Sequence, residues 1–222
     1  MSSRLPEELS AVVVAERIAN IRERIAHYVD PSEITITAVT KGFDATVVAL
    51  VLACGLGDIG ENYVQELRAK QLEAPDGLKW HFIGGIQRNK LTWLAKHVQT
   101  IESISTVGEL DRLGALGFDG ELFIQVRSDD NPQRHGALEV DVAALVERAR
   151  ELSLKIVGLM GVAPVTGGVA GIDFFRRVRR LADRNGLAKC SMGMSGDFES
   201  AVAEGATHLR LGRALLGERR KA

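Results

Sequence analysis

The sequence lacks a hydrophobic run that could cross a membrane, since no segment approaches the ~20 apolar residues of a spanning helix. A short apolar run lies near the N-terminus, in SAVVVAERIANIRERIAHYV, but Glu16, Arg17 and Arg22 interrupt it at helical spacing. This pattern indicates an amphipathic helix that opens after Pro6 rather than a signal peptide. We therefore expect a soluble, cytoplasmic protein.

The sequence also lacks a charge excess, because 28 basic and 29 acidic residues leave a formal net charge of -1. Such a chain has no basic field to attract nucleic acid or an anionic membrane, so a small molecule is the expected partner. Cysteine is scarce, and Cys54 and Cys190 lie far apart in apolar surroundings. Buried thiols in a reducing compartment are expected there, and neither a disulfide nor a metal site.

The chain alternates eight short apolar runs with helix-like segments, over a length of 222 residues that suits one large domain. Alternating strands and helices pair in parallel through right-handed crossovers. We predict a single (β/α)8 TIM barrel over residues 1–222, with an extra N-terminal helical segment (1–30) packing on it. The eight runs are ITITAVTK (34–41), GDIGEN (57–62), WHFIG (80–84), TIESI (100–104), ELFIQV (121–126), KIVGLMGV (155–162), AKCSMGM (188–194) and HLRLG (208–212).

An open, doubly wound sheet is the alternative to the barrel, but the dinucleotide fingerprint G-x-G-x-x-G does not follow the first strand. Barrel enzymes place their working residues at the C-terminal ends of strands. Polar or glycine residues follow several predicted strands here: Lys41, Asn62, Ser195, Gly212 and Arg213.

Each strand-end residue has an ordinary explanation by itself, such as a surface lysine or a residue that caps a turn. Together they form a pocket with one amine, one serine and a helix start after the last strand. Backbone N–H groups at a helix start can bind phosphate, which is the usual phosphate position in this fold. An amine that faces a phosphate suggests a phosphorylated aldehyde as ligand. Arg210 alternates with Leu209 and Leu211, so we expect it to point into the barrel.

Several motifs resemble the YggS/PROSC family of pyridoxal 5′-phosphate (PLP) homeostasis proteins, which is related in fold to the N-terminal barrel domain of alanine racemase. The motifs are AVTK, GENYVQEL, WHFIGGIQRNK, GLMGVAP and SMGMSGDFESAVAEGATHLRLGRALLG, and the resemblance covers nearly the whole chain. It implies that Lys41 holds PLP as a Schiff base and that Asn62 approaches the ring. Ser195 is implied to bind the phosphate with the backbone N–H groups of Gly212 and Arg213.

The resemblance also places Arg210 against the pyridine nitrogen, and His81 is either a floor residue of the pocket or a core histidine. The sequence departs from the family at two arginines. Arg213 stands where a hydroxyl residue is usual, and it either adds a charge contact to the phosphate or replaces a hydroxyl bond. Arg127 stands where asparagine is common, which leaves the role of its loop open. The glycine-rich segment GLMGVAPVTGGVAG indicates a more mobile rim.

Two functions fit this pocket: a carrier or buffer of PLP, and a PLP-dependent amino-acid racemase or lyase of low activity. A racemase needs a second acid/base opposite Lys41, and only Tyr63 or Tyr28 could supply a tyrosine. An arginine at the ring nitrogen stays protonated and weakens the ring as an electron sink. We therefore predict a carrier without robust catalysis, a monomer that meets PLP-dependent apo-enzymes transiently.

Overall fold

The computed structural model describes residues 9–128, 135–164 and 166–218, in which strands and helices alternate. The strands are β1 (Thr35–Val39), β2 (Asp58–Glu61), β3 (Lys79–Phe82), β4 (Thr100–Ile104), β5 (Glu121–Val126), β6 (Lys155–Gly161), β7 (Lys189–Ser191) and β8 (His208–Leu211). The helices are α1 (Ala11–Ile25), α2 (Thr46–Ala53), α3 (Val64–Gln71), α4 (Leu91–His97), α5 (Val107–Ala115), α6 (Val142–Glu151), α7 (Gly168–Arg184), α8 (Phe198–Ala203) and α9 (Arg213–Leu216).

The eight strands form a closed parallel barrel in chain order. β1 pairs in parallel with β2 on one side and with β8 on the other, where Thr37 lies opposite Arg210. This closure confirms the predicted barrel and excludes the open sheet, which would leave two edge strands. Seven of the eight strands lie wholly within a predicted run, and β3 begins one residue earlier, at Lys79. Helix α3 connects β2 to β3, as a parallel crossover between two neighbouring strands requires.

Helix α1 begins after Ser10, whose Oγ accepts a hydrogen bond from the Val13 N–H at 3.3 Å. Its apolar stripe packs against α2, α8 and α9, so it spans the junction between the first and last units of the barrel. Arg17 donates from Nη1 to the Leu215 carbonyl at 3.0 Å across this junction. The start predicted after Pro6 lies outside the described residues. The stripe consists of Val14, Ile18, Ile21 and Ile25.

Within the described ranges, no helix is both long and apolar enough to traverse a bilayer. The two cysteines are free thiols. Cys190 is buried in β7, and burial raises the pKa of its thiol to about 12. Cys54 is only half-buried, contrary to the expectation that both thiols are buried, because it follows the last turn of α2.

The interior of the barrel is charged, whereas Val, Ile and Leu usually fill the centre of this fold. Outward-facing strand residues such as Ile59, Leu209 and Leu211 are apolar and buried. The residues between them turn inward, because side chains alternate along a strand. Buried polar residues at these inward positions include Thr37, His81, Glu102, Ser191 and Arg210. The barrel therefore has polar and charged side chains at its centre and apolar side chains on the outward face of its strands.

Candidate functional site

A cavity of about 780 Å³ opens at the C-terminal ends of the strands, within the range of small-molecule sites. Of the seven predicted site residues, His81 is absent from the cavity walls and the other six line them. These six come from both ends of the chain, and closure of the barrel between β1 and β8 brings them together. They are Lys41, Asn62, Ser195, Arg210, Gly212 and Arg213.

Lys41 lies two residues beyond β1, and side chains of α3 hold the backbone on both sides of it. The carbonyl of Thr40 accepts a hydrogen bond from Lys70 Nζ at 2.7 Å. The N–H of Gly42 donates to Glu66 Oε2 at 2.7 Å. Lys41 itself is half-buried in the cavity wall. The amine is therefore mounted on a backbone segment with little freedom to shift.

The lysine that supports Lys41 belongs to a buried ion pair that the sequence analysis missed. The side chains of Lys70 and Glu61 are 3% and 0% exposed and form a salt bridge. Thr40 Oγ1 also donates to Glu61 Oε1, at 2.5 Å. Burial raises the pKa of Glu61, and the charge of Lys70 opposes that rise. The pair fixes α3 against the ends of β1 and β2, where Lys41 and Asn62 follow.

Asn62 lines the cavity and has a buried side-chain acceptor that is not used. Its side-chain oxygen is buried and has no hydrogen-bond partner among the described residues. A buried amide oxygen without a partner costs free energy, so a ligand that donates a hydrogen bond there would be favoured. Gly84 permits this placement, because a Cβ at Gly84 would lie 2.0 Å from the Asn62 backbone oxygen.

Ser195 lies beside the start of α9. Its Oγ accepts a hydrogen bond from the Ala214 N–H at 3.0 Å, so the hydroxyl hydrogen can be donated to a ligand. The first N–H groups of a helix have no acceptor within it, and Gly212 and Arg213 are also in the cavity wall. The side chain of Arg213 is 67% exposed and lies 3.5 Å from Glu218, which places it at the solvent edge.

Arg210 points into the barrel, as the alternation in β8 predicts, and is 4% exposed. Nη1 donates to both the carbonyl and the Oγ of Ser191 at 2.7 Å, and Nη2 donates to the Gly161 carbonyl at 2.7 Å. Burial lowers the pKa of Arg210, and the charge of Glu102 opposes that fall. A guanidinium stays protonated even so, so the cavity has a fixed cation in its deepest part.

His81 lies one layer below the cavity, since Ile83, two residues later in the chain, lines the wall. Its Nδ1 is 2.8 Å from Glu102 Oε1 and its Nε2 is 3.0 Å from Asp58 Oδ1. Burial opposes the charged ring, but the two carboxylates outweigh it and raise the pKa of His81 to about 9. The structure thus favours the core-histidine interpretation, and His81 does not join the other six residues.

The two tyrosines that could serve a racemase are both outside the cavity walls. Tyr63 is 59% exposed just before α3, and Tyr28 is 49% exposed after α1. Arg127 follows β5, and its backbone N–H donates to the Ala137 carbonyl at 2.9 Å. The rest of its loop, residues 129–134, and residue 165 of the glycine-rich rim lie outside the described residues.

Besides Lys70 and Glu61, the sequence patterns did not identify two residues that contact His81 and Arg210, namely Glu102 and Ser191. Glu102 lies in the middle of the predicted strand TIESI. The alternation that turns Arg210 inward also applies to a single carboxylate in the middle of that strand. It could therefore have identified Glu102 as the counter-charge. Only the barrel geometry, which places β4 across from β7, reveals the contact with Ser191 at 2.5 Å.

No protein-family model matches the chain. The pyridoxal phosphate homeostasis protein of Pseudomonas aeruginosa is 38% identical over 220 residues, which cover 93% of this chain and 96% of that protein. The structure of PipY from Synechococcus elongatus with PLP bound has a TM-score of 0.80 at 33% identity, and covers 92% of this chain and 100% of that one. An arginine decarboxylase of Paramecium bursaria Chlorella virus, 13% identical with a TM-score of 0.72, shares the fold alone.

Proposed function

The chain belongs to the family of pyridoxal phosphate homeostasis proteins, and on that basis we propose that it binds PLP in the cavity at the strand ends and acts as a carrier of this cofactor. The observation that carries the proposal is the cavity itself. It combines a lysine amine, a buried cation, an unused amide oxygen and a serine hydroxyl. These groups match the aldehyde, ring and phosphate of PLP.

We assign the covalent link to Lys41. The amine of Lys41 would hold PLP covalently by condensing with its aldehyde, with release of water, and the aldehyde chemistry would be supplied by PLP. Hydrogen bonds fix the backbone on both sides of Lys41, and its side chain lines the cavity. This arrangement lowers the entropy cost of ordering the lysine side chain when a ligand binds. The aldehyde chemistry that PLP supplies can thus be stored reversibly, because water reverses the same step.

We assign the phosphate to Ser195 and to the backbone N–H groups of Gly212 and Arg213. The Ser195 hydroxyl can donate to a phosphate oxygen while its Oγ still accepts from Ala214. Arg213 adds a positive charge at the edge of this region, although Glu218 beside it reduces the effect. The exposed position of Arg213 favours a charge contact over replacement of a hydroxyl bond.

Arg210 and Asn62 are assigned to the ring. A guanidinium donates and does not accept, so a pyridine nitrogen beside Arg210 accepts a hydrogen bond and stays unprotonated. An unprotonated ring stabilises a carbanion poorly, which disfavours amino-acid chemistry. The exposed position of Tyr63 also leaves the side opposite Lys41 without a tyrosine as general acid or base. Both observations support a carrier over an enzyme. We further propose that it acts as a monomer in the cytoplasm and hands PLP transiently to apo-enzymes.

The first test is covalent trapping. The protein loaded with PLP is reduced with borohydride and its peptides are mapped by mass spectrometry. We expect the label on Lys41, its loss in Lys41→Ala, and its retention in Lys96→Ala, which removes an exposed lysine of α4. A label on another lysine of the wild-type protein would refute the assignment.

The second test separates a carrier from an enzyme. Loaded protein is mixed with an apo form of a PLP-dependent enzyme, and recovery of that enzyme's activity is followed beside a chiral analysis of alanine and serine. We expect reactivation without turnover of either amino acid above the rate of free PLP. A site without an opposing acid/base loses roughly 10²-fold to 10⁴-fold in rate. Racemisation that disappears in Tyr63→Phe would establish the enzyme instead.

A further inference from the structure

A line of alternating charges runs through the barrel and ends beneath the cavity. Asp58, His81, Glu102 and Arg210 follow one another as anion, cation, anion and cation, and Ser191 bridges the last two. The successive contacts are 3.0, 2.8, 2.5 and 2.7 Å. We call these five residues the ion line. They come from β2, β3, β4, β7 and β8, so the line crosses the barrel interior.

The donor and acceptor groups of these residues determine the direction of each hydrogen bond in the ion line. Arg210 can only donate, so the Ser191 Oγ accepts from it and must donate its own hydrogen to Glu102 Oε2. Glu102 is completely buried and accepts from Ser191 and from His81. A protonated His81 then donates to Glu102 and to Asp58. Every hydrogen bond in the ion line therefore has one donor and one acceptor, and the first donor is the Arg210 guanidinium.

Of the five residues, only Arg210 lines the cavity. Burying charged groups costs several kcal/mol each even when they are paired, and apolar residues of similar volume often give a more stable core. The line is therefore a costly way to fill a barrel if its purpose is stability alone. Its other members do not line the cavity, so Arg210 is the residue through which they can contact a ligand.

On the basis of the proposed function, we propose that Glu102 and Ser191 are positioning residues for the cofactor site, which hold the Arg210 guanidinium under the ring of bound PLP. Within the described part of the chain, the three hydrogen bonds of Arg210 use Nη1 and Nη2 and leave Nε–H as a donor for the ring nitrogen. Without Glu102, two buried cations, Arg210 and His81, would share the interior with no anion between them. Arg210 would then leave its position, or His81 would lose its proton.

The first experiment compares Glu102→Gln with Glu121→Gln. Glu121 is a matched control, because it is another barrel carboxylate whose pKa its lysine partners lower to about 2 against the opposing effect of burial. We expect Glu102→Gln to weaken PLP binding about tenfold, the scale of one hydrogen bond to a charged group. Glu121→Gln should change the affinity less than about twofold. Equal effects of the two substitutions would overturn the proposal.

A double-mutant cycle tests whether Glu102 acts through Arg210. In an Arg210→Met background, Glu102→Gln should no longer weaken PLP binding, since the group it positions is gone. The absorbance spectrum of PLP bound to Glu102→Gln should also shift toward that of Arg210→Met. Additive losses of affinity, or a spectrum identical to that of the wild type, would show a merely structural role.

Two further measurements keep the test valid if a variant folds poorly or PLP does not bind. Ser191→Ala removes only the bridging hydroxyl and should weaken PLP binding severalfold. The same cycle is also run on the urea midpoint of the protein without PLP, where the effects of Glu102→Gln and Arg210→Met should be strongly non-additive. Absence of PLP binding by the wild type would refute the proposed function. Additive midpoint shifts would refute the coupling of Glu102 to Arg210.

Discussion

Raising the pH should destabilise the protein through His81. The carboxylates of Asp58 and Glu102 raise the pKa of His81 from 6.5 to about 9 against the opposing effect of burial. The folded state therefore binds this proton more tightly than the unfolded state does. The stabilisation is fully present below pH 6.5 and is lost as the pH rises through about 9. A shift of this size corresponds to about 3 kcal/mol in the free energy of unfolding.

The assay is urea unfolding of the protein without ligand at several values between pH 6 and pH 9. His208 acts in the opposite direction at the lower end of this range, because burial lowers its pKa to about 4 and its contribution is lost as the pH falls from 6.5 to 4. The loss due to His81 is therefore read from the values above pH 7. Asp58→Asn removes one of the two carboxylates that contact His81, so the loss of stability over the same range should be clearly smaller. A wild-type free energy that stays flat from pH 6 to pH 9 would refute the charged state of His81.

Three further predictions concern other parts of the site. Ser195→Ala should weaken PLP binding by about 1 kcal/mol in a spectroscopic titration. Pyridoxal, which lacks the phosphate, should bind far worse than PLP. Equal affinities for pyridoxal and PLP would show that the phosphate position is wrong. Lys70→Met should destabilise the protein by about 3–5 kcal/mol in urea unfolding, because Glu61 is left buried without a counter-charge. Adding Glu61→Leu should recover most of this loss of stability. A double variant as unstable as Lys70→Met would contradict the pairing of Lys70 with Glu61. Gly84→Ala should lower the free energy of unfolding by about 1–3 kcal/mol in the same assay and should also weaken PLP binding, because the added Cβ displaces Asn62. An unchanged affinity for PLP would show that Asn62 is not part of the site.

The fold and most of the site could be predicted from the sequence because both depend on local patterns. Each strand is a short apolar run, and parallel strands bring the residues after their ends to one rim, so Lys41 and Ser195 were found without knowledge of contacts. Alternation along β4 could also have identified Glu102 as an inward-facing carboxylate, but the contacts that this residue makes beneath the rim could not be found in this way. His81 and Glu102 are 21 residues apart, and Glu102 and Ser191 are 89 residues apart. Such pairings depend on which inward side chains meet across the barrel.

The helix-to-helix contact across the first and last units has a consequence for biosynthesis. Arg17 contacts Leu215 over a separation of 198 residues, and β1 has no second neighbour until β8 exists. A nascent chain on the ribosome therefore exposes Lys41 long before Arg210 and Ser195 have been translated. Its lysine can react with aldehydes at that time, but it has neither the ring contact that we propose for Arg210 nor the phosphate contact that we propose for Ser195. On the proposed assignment, selective capture of the cofactor becomes possible only after translation has reached the last strand.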